Sequence, residues 1–268
     1  MDKQPIVTIL ITVFNSQNTL DRCFQSIYEQ SFGNFKIVCV SDCPTDDSIS
    51  IIKKWQEKFG KNRFILIENN TNLGVAKSSN KGVFTADTKY IARIDSDDWW
   101  DKQKLEKQIN FLENNPEYGI IGSNYINVYE GKQIEILMSK TDDEIKKTIS
   151  RKNPFGHSTV IYRASIVKKI GGYTEDIKYG SDYELWMKFF DQTKFYNLQE
   201  FLCFREVANT GISITNHRTR TIQCIKTRMF YISKYRLSPT NYFYLLPLFV
   251  SLLIPEKIKK IKRKLIGI

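Results

Sequence analysis

Histidine is almost missing from this sequence, with His157 and His217 the only two in 268 residues. The five cysteines (Cys23, Cys39, Cys43, Cys203 and Cys224) contain no Cys-x-x-Cys pair, so no four-ligand zinc site of ordinary spacing can be assembled. They read as reduced, mostly buried small residues, which suits a reducing cytosol. No run of 18 apolar residues occurs, and that excludes an ordinary membrane-spanning helix. Glycine (13) and proline (7) are too sparse, and aromatics at 13% too frequent, for a collagen-like, linker-like or disordered chain. The start, Met-Asp-Lys-Gln-Pro, lacks a basic stretch followed by an apolar one and a small-residue cleavage site, and is read as carrying no signal peptide. Neither a G-x-x-x-x-G-K-[ST] loop nor a G-x-G-x-x-G fingerprint is present.

The net charge of +11 suggests nucleic acid until it is located. Residues 216–268 hold twelve Lys and Arg against the single acid Glu256, whereas residues 1–215 hold 28 bases and 28 acids. A neutral body with a basic tail fits a surface to which the tail adheres, not a basic groove through the core. Within the tail, the apolar stretch Tyr242–Ile254, broken by Pro247 and Ser251, precedes Lys257, Lys259, Lys260, Lys262, Arg263 and Lys264. Interleaved with Ile258, Ile261, Leu265 and Ile266, these bases suit an anionic membrane interface; a helix packed on the domain is the plainer alternative.

Along residues 1–115 apolar strand-like runs alternate with helical spacing. Ile6–Phe14, Phe35–Val40, Arg63–Ile67 and Tyr90–Ile94 are short and β-branched, as buried parallel strands are. Helical positions follow each: Leu20, Cys23, Phe24 and Ile27; then Ile49, Ile52 and Phe59; then small residues to Val83; then Leu105, Ile109 and Leu112. This alternation predicts an α/β fold, a mostly parallel sheet covered by helices, with ligands beyond the carboxyl ends of the strands. Those ends carry Phe14-Asn15, Asp42, Glu68-Asn69-Asn70 and Asp95–Asp98, so acids and amides gather where a ligand would lie. Residues 116–210 read as further strands and helices with no Ser-, Gly- or Pro-rich linker, which predicts one continuous domain over 1–210 with two functional halves (about 1–115 and 116–210) and a helical basic extension over 211–268.

Three segments carry the chemistry. In Asp95-Ser96-Asp97-Asp98, carboxylates at i and i+2 after a strand can share a hard divalent cation and leave positions for phosphate oxygens; alternatively they form an acidic turn. Asp42, at the end of the second strand, can accept from a ribose hydroxyl or a base N–H, or serve a turn. In Gly180-Ser181-Asp182-Tyr183-Glu184-Leu185-Trp186, Asp182 is a candidate general base or a helix cap. His157, in Asn153-Pro154-Phe155-Gly156-His157-Ser158, either lines a site or is structural.

Taken in order, VTILITVFNSQNTLDRCFQSIYEQSF, VCVSDCPTDDS, NTNLGVAKSSNKG, YIARIDSDDWW, NPFGHSTVIYR, IGGY and SDYELWMKF resemble glycosyltransferase family 2, inverting enzymes of the GT-A (Rossmann-like) fold, in the form found in bacterial surface-polysaccharide synthesis. The resemblance spans about residues 5–206. It implies transfer of one sugar from a nucleotide-diphosphate donor, usually UDP-linked, to a saccharide or lipid-linked acceptor, with Mn²⁺ or Mg²⁺ as cofactor, on the cytoplasmic face of the membrane. It places donor contacts at Val13, Asn15, Asp42, Asn72, Gly74, Lys77, Arg93, Asp95 and Ser96, metal contacts at Asp97 and Asp95, the base at Asp182, and acceptor-side lining at His157 and Trp186. Departures are Ser41 and Cys43 where the family commonly has Asp and Gly, and Glu206-Val207-Ala208-Asn209 where it often has a His. A sugar nucleotidyltransferase would need a Gly-rich loop after the first strand, and Phe14–Asn18 has none. A non-catalytic nucleotide-sugar scaffold is opposed by the retained acids, and a nucleic-acid binder by the neutral body.

Overall fold

The computed structural model describes residues 4–207 and 217–254. Seven elements alternate at the start: β1 (Val7–Val13), α1 (Leu20–Tyr28), β2 (Phe35–Ser41), α2 (Ser48–Phe59), β3 (Phe64–Glu68), α3 (Val75–Thr85) and β4 (Tyr90–Asp95). They are followed by β5 (Trp99–Trp100), α4 (Lys104–Asn114), β6 (Tyr118–Tyr129), β7 (Lys132–Ile136) and α5 (Asp142–Thr148). Then come a 3-10 turn at His157–Thr159, β8 (Ile161–Arg163), α6 (Ala164–Lys169), α7 (Ser181–Phe189) and β9 (Lys194–Glu206). Beyond them lie α8 (His217–Lys234), a 3-10 segment Pro239–Leu245 and α9 (Leu246–Leu253).

One sheet runs in the order β3-β2-β1-β4-β8-β6-β9-β5, with β7 on β6. The strands β3, β2, β1 and β4 are mutually parallel, β8 is antiparallel to both β4 and β6, and β6 and β9 are parallel again. Side chains alternate across β1 with the period of two that a pleated strand imposes. Ile9, Ile11 and Val13 pack with α1, α2 and α4 on one face, and Leu10 with Val38, Val40 and α3 on the other. The second face also receives Trp186 and Phe189 of α7, so both halves share one continuous sheet with two buried layers.

The expected strands and helices are present to within a residue or two of their ends, except that the strand expected over Ser158–Tyr162 begins only at Ile161, after a 3-10 turn. β5, β7 and α5 were not anticipated, because a two-residue strand, an exposed hairpin arm and a capping-box helix carry no apolar period. Gly82 of α3 lies directly against the sheet: a Cβ there would collide with Leu10 Cδ1, so its role is helix–sheet packing. Among the described residues no helix is long and apolar enough to cross a membrane. The basic stretch Lys257–Lys264 and residues 208–209 lie outside the described residues.

Candidate active site

The carboxyl ends of β1, β2 and β4 open on one side of the sheet, and their loops are laced together. Asn15, whose φ of 50° turns the chain sharply after β1, accepts from Thr45 N–H at 2.8 Å. Ser16 Oγ lies 2.7 Å from Ser96 Oγ, and Thr19 Oγ1 donates to the Ser96 carbonyl at 3.0 Å. Ser96 is thereby spent on fixing the acidic turn to the loop after β1.

Arg93 is completely buried. Its guanidinium donates to the Leu10 carbonyl at 3.0 Å and to Thr12 Oγ1 at 2.6 Å, and pairs with Asp95 Oδ1 at 2.9 Å. Expected to touch the donor, it is enclosed behind Asp95 and holds that carboxylate in place. On the other side of Asp95, His157 Nδ1 lies 3.1 Å from Oδ1, while His157 Nε2 meets Tyr173 Oη at 2.8 Å. Tyr173 is fixed in turn by a reciprocal pair, with Asn80 Nδ2 donating to its carbonyl and Tyr173 N–H donating to Asn80 Oδ1. Burial opposes charge on Asp95, but His157 and Arg93 outweigh it and hold the carboxyl well below the usual carboxylate range.

Asp97 is the exposed acid of the turn. Crowding by the surrounding protein, and then the Asp95 charge, pushes its carboxyl up to about 6. Asp98 faces inward and is buried: Ser158 Oγ donates to Asp98 Oδ2, and Arg205 Nε stands 3.8 Å away. Burial, with Asp97 next, raises the Asp98 carboxyl well above its ordinary value. Three acids in four residues thus repel one another, and a divalent cation would relieve that repulsion. Among the described residues no cluster of three or more His, Cys, Asp or Glu side chains forms a cage for a metal. Asp97 and Asp95 offer carboxylate oxygens of the kind a hard divalent ion accepts, and such an ion would need further oxygens from a ligand.

Asp42 has a structural task of its own. It is 4% exposed, and its Oδ1 accepts from Asn69 Nδ2 and Leu73 N–H at 2.8 Å each while Oδ2 accepts from Gly74 N–H at 2.9 Å. It clamps the loop ahead of α3, in which Asn72 and Lys77 are exposed and Gly74 (φ 83°) is half-buried. Val13 likewise belongs to the core: its side chain is fully buried and its carbonyl accepts from Asp42 N–H.

Asp182 is half-buried in the first turn of α7. It caps nothing: Gly180, at φ 72°, begins the helix and no side chain caps it. Asp182 Oδ2 accepts from Asn153 Nδ2 at 2.8 Å. One turn later Trp186 has its ring centroid 5.6 Å from Phe155 and 6.2 Å from His157. Trp186 is fully buried, so it backs His157 and does not line the acceptor side itself. The loop 153–157 therefore joins Asp182 at one end to Asp95 at the other. Sequence reading missed Asp98, Ser158, Tyr173, Asn80 and Arg205, whose partners are distant in the chain; only the position of Asp98 beside Asp97 gave a signal.

The family model described as glycosyl transferase family 2 matches residues 8–171. The protein EpsE of Bacillus subtilis is 32% identical over 207 residues, 75% of this chain and 73% of the relative. Among solved structures, S. aureus TarS residues 1–349 with UDP superposes with a TM-score of 0.71 at 19% identity, covering 91% of this chain and 70% of that one. The mannosyltransferase PcManGT of Pyrobaculum calidifontis, with GDP-Man and Mn²⁺, has a TM-score of 0.65 at 16% identity over 93% of this chain and 70% of that one.

Proposed function

The chain belongs to glycosyltransferase family 2 and has the GT-A fold, and we propose that it moves one sugar, with inversion, from a UDP-linked donor to a hydroxyl of a saccharide or lipid-linked acceptor in building a cell-surface polysaccharide. The observation that carries this reading is the double tether of one loop: Asn153 holds Asp182 while His157 holds Asp95. Two carboxylates 87 positions apart in the chain are thus tied to the two ends of one short loop, which supports their working together as a base and a metal-diphosphate contact.

The nucleoside diphosphate lies along the loops after β1, β2 and β3, where Asn15, Asn72, Gly74 and Lys77 face it. Asp97, supported by Asp95, would hold Mg²⁺ or Mn²⁺, which when bound neutralises charge developing on the leaving diphosphate. Asp182 takes the proton from the acceptor hydroxyl as that oxygen attacks the anomeric carbon opposite the diphosphate. Asn153 keeps its carboxylate oriented, and His157 with Arg93 keeps Asp95 ionised and fixed. Residues 1–210 serve as the catalytic domain, and the basic residues beyond it support a place on the cytoplasmic face of the membrane.

Asp182→Asn is the test. General-base help is commonly worth about 10²–10⁴-fold, so turnover falls by that order while UDP affinity in the presence of Mg²⁺ is unchanged by calorimetry. A folded variant that loses UDP affinity along with turnover overturns the base role. A panel of nucleotide sugars, scored by metal-dependent UDP or GDP release, names the donor.

A further inference from the structure

The large apolar side chains that the core leaves uncovered collect at the C-terminal end of the described chain. Not one residue of α9 is buried, and Leu246, Phe249, Val250 and Leu253, at i, i+3, i+4 and i+7, form a single stripe exposed by 56, 45, 54 and 83%. Phe243, 68% exposed, precedes it in the 3-10 segment, where Leu245 alone is buried and anchors the segment. A helix serving only to cover the domain would turn this stripe inward.

Charge says what covers it. After Ile254 the sequence carries Lys257, Lys259, Lys260, Lys262, Arg263 and Lys264, with no acid from 257 to 268. A second copy of the chain would carry the same excess of positive charge, which opposes pairing. An anionic lipid surface satisfies both features: the aliphatic and Phe side chains enter the acyl boundary, and the bases meet the headgroups.

The same segment touches the loop that holds the candidate base. Ser150 Oγ donates to Asn241 Oδ1, and the Arg151 guanidinium lies 5.2 Å from the Tyr244 ring centroid. Two residues further, Asn153 binds Asp182. We propose that Phe243, Leu246, Phe249, Val250 and Leu253 form the face by which the protein docks on anionic lipid, and that the contacts at Ser150 and Arg151 fix the base-bearing loop relative to that surface. This deepens the membrane-surface reading above and rests on it; only the second half rests on Asp182 as base.

The full chain is sedimented with vesicles of phosphatidylcholine alone or of equal parts phosphatidylcholine and phosphatidylglycerol. It binds the mixed vesicles, and binding weakens as salt is raised. The double variant Leu246→Asp/Leu253→Asp binds them about tenfold more weakly or worse, while its release of UDP from donor in solution is unchanged. Asp182→Asn binds them as the unaltered chain does, so failure of the transfer reading and failure of the docking face appear in different readouts. Equal binding by the double variant, absence of binding to mixed vesicles, or a concentration-dependent dimer that the double variant abolishes overturns the proposal.

Discussion

Asn153 Nδ2 lies 2.8 Å from Asp182 Oδ2, and it is the only side-chain amide found on that carboxylate among the described residues. An oriented carboxylate accepts a proton along one direction, and positional error in a catalytic group is costly. Asn153→Ala should therefore lower kcat by about tenfold with the donor KM unchanged. Steady-state kinetics with the donor identified by the nucleotide-sugar panel decide it; a rise in donor KM at constant kcat would assign Asn153 to donor binding.

Asp97 is the acid of the turn that solvent reaches, whereas Asp95 is occupied by Arg93 and His157 and Asp98 by Ser158. Its carboxylate is hydrogen-bonded only to its own backbone N–H among the interactions that tune it, and its removal relieves the repulsion from Asp95 that helps push it to about 6. Asp97→Ala should abolish the Mg²⁺- or Mn²⁺-dependent part of UDP affinity and leave thermal stability equal or higher. Titration calorimetry with and without metal measures the first and a melting curve the second. Persisting metal-dependent affinity excludes Asp97 as an essential ligand.

For Asp42 the expectation is reversed, with stability affected first. Its carboxylate satisfies two backbone N–H groups and the Asn69 amide, all in a nearly closed environment. Leaving buried donors unpaired costs about 1–3 kcal/mol each, less whatever water recovers, so Asp42→Ala should lose about 2–4 kcal/mol in urea unfolding. Weaker UDP binding would follow from the freed Asn72–Gly74 loop. A variant of full stability that no longer binds UDP would make Asp42 a direct ligand contact.

The contrast between Asp42 and Asp97 shows how far the residues could be read without coordinates. Both stand at strand ends in acidic turns, and the apolar runs before them fixed their side of the sheet. What separates them is three-dimensional: the N–H groups that consume Asp42 belong to Leu73 and Gly74, 31 and 32 positions away. Arg93 was legible as a neighbour of Asp95, but its burial depends on Leu10 and Thr12, 83 and 81 positions earlier, brought beside it by the β1–β4 register. Trp186 was placed on the acceptor side by the resemblance; that it is an inner wall depends on Phe155 and Tyr162, which no period reveals. Periodicity gave layers and strand ends, and only the sheet order decided which polar groups had already been satisfied.

Lys104 gives a pH dependence independent of the catalytic groups. Its side chain is fully buried, with Nζ donating to Gln108 Oε1 at 2.7 Å and lying 4.1 Å from the Trp100 ring centroid. Burial pulls the ammonium from 10.5 down to about 7. Between these values the unfolded chain holds a proton that the folded chain has released, so stability rises with pH across the window. The penalty is full below about pH 7 and fades towards pH 10.5. Lys104→Met removes it, and the stability difference between variant and parent should narrow or reverse by up to about 1.4 kcal/mol per pH unit. Urea unfolding of both at pH 7, 8 and 9 cancels the other titrating groups; parallel curves would mean that Lys104 keeps its charge in the folded chain.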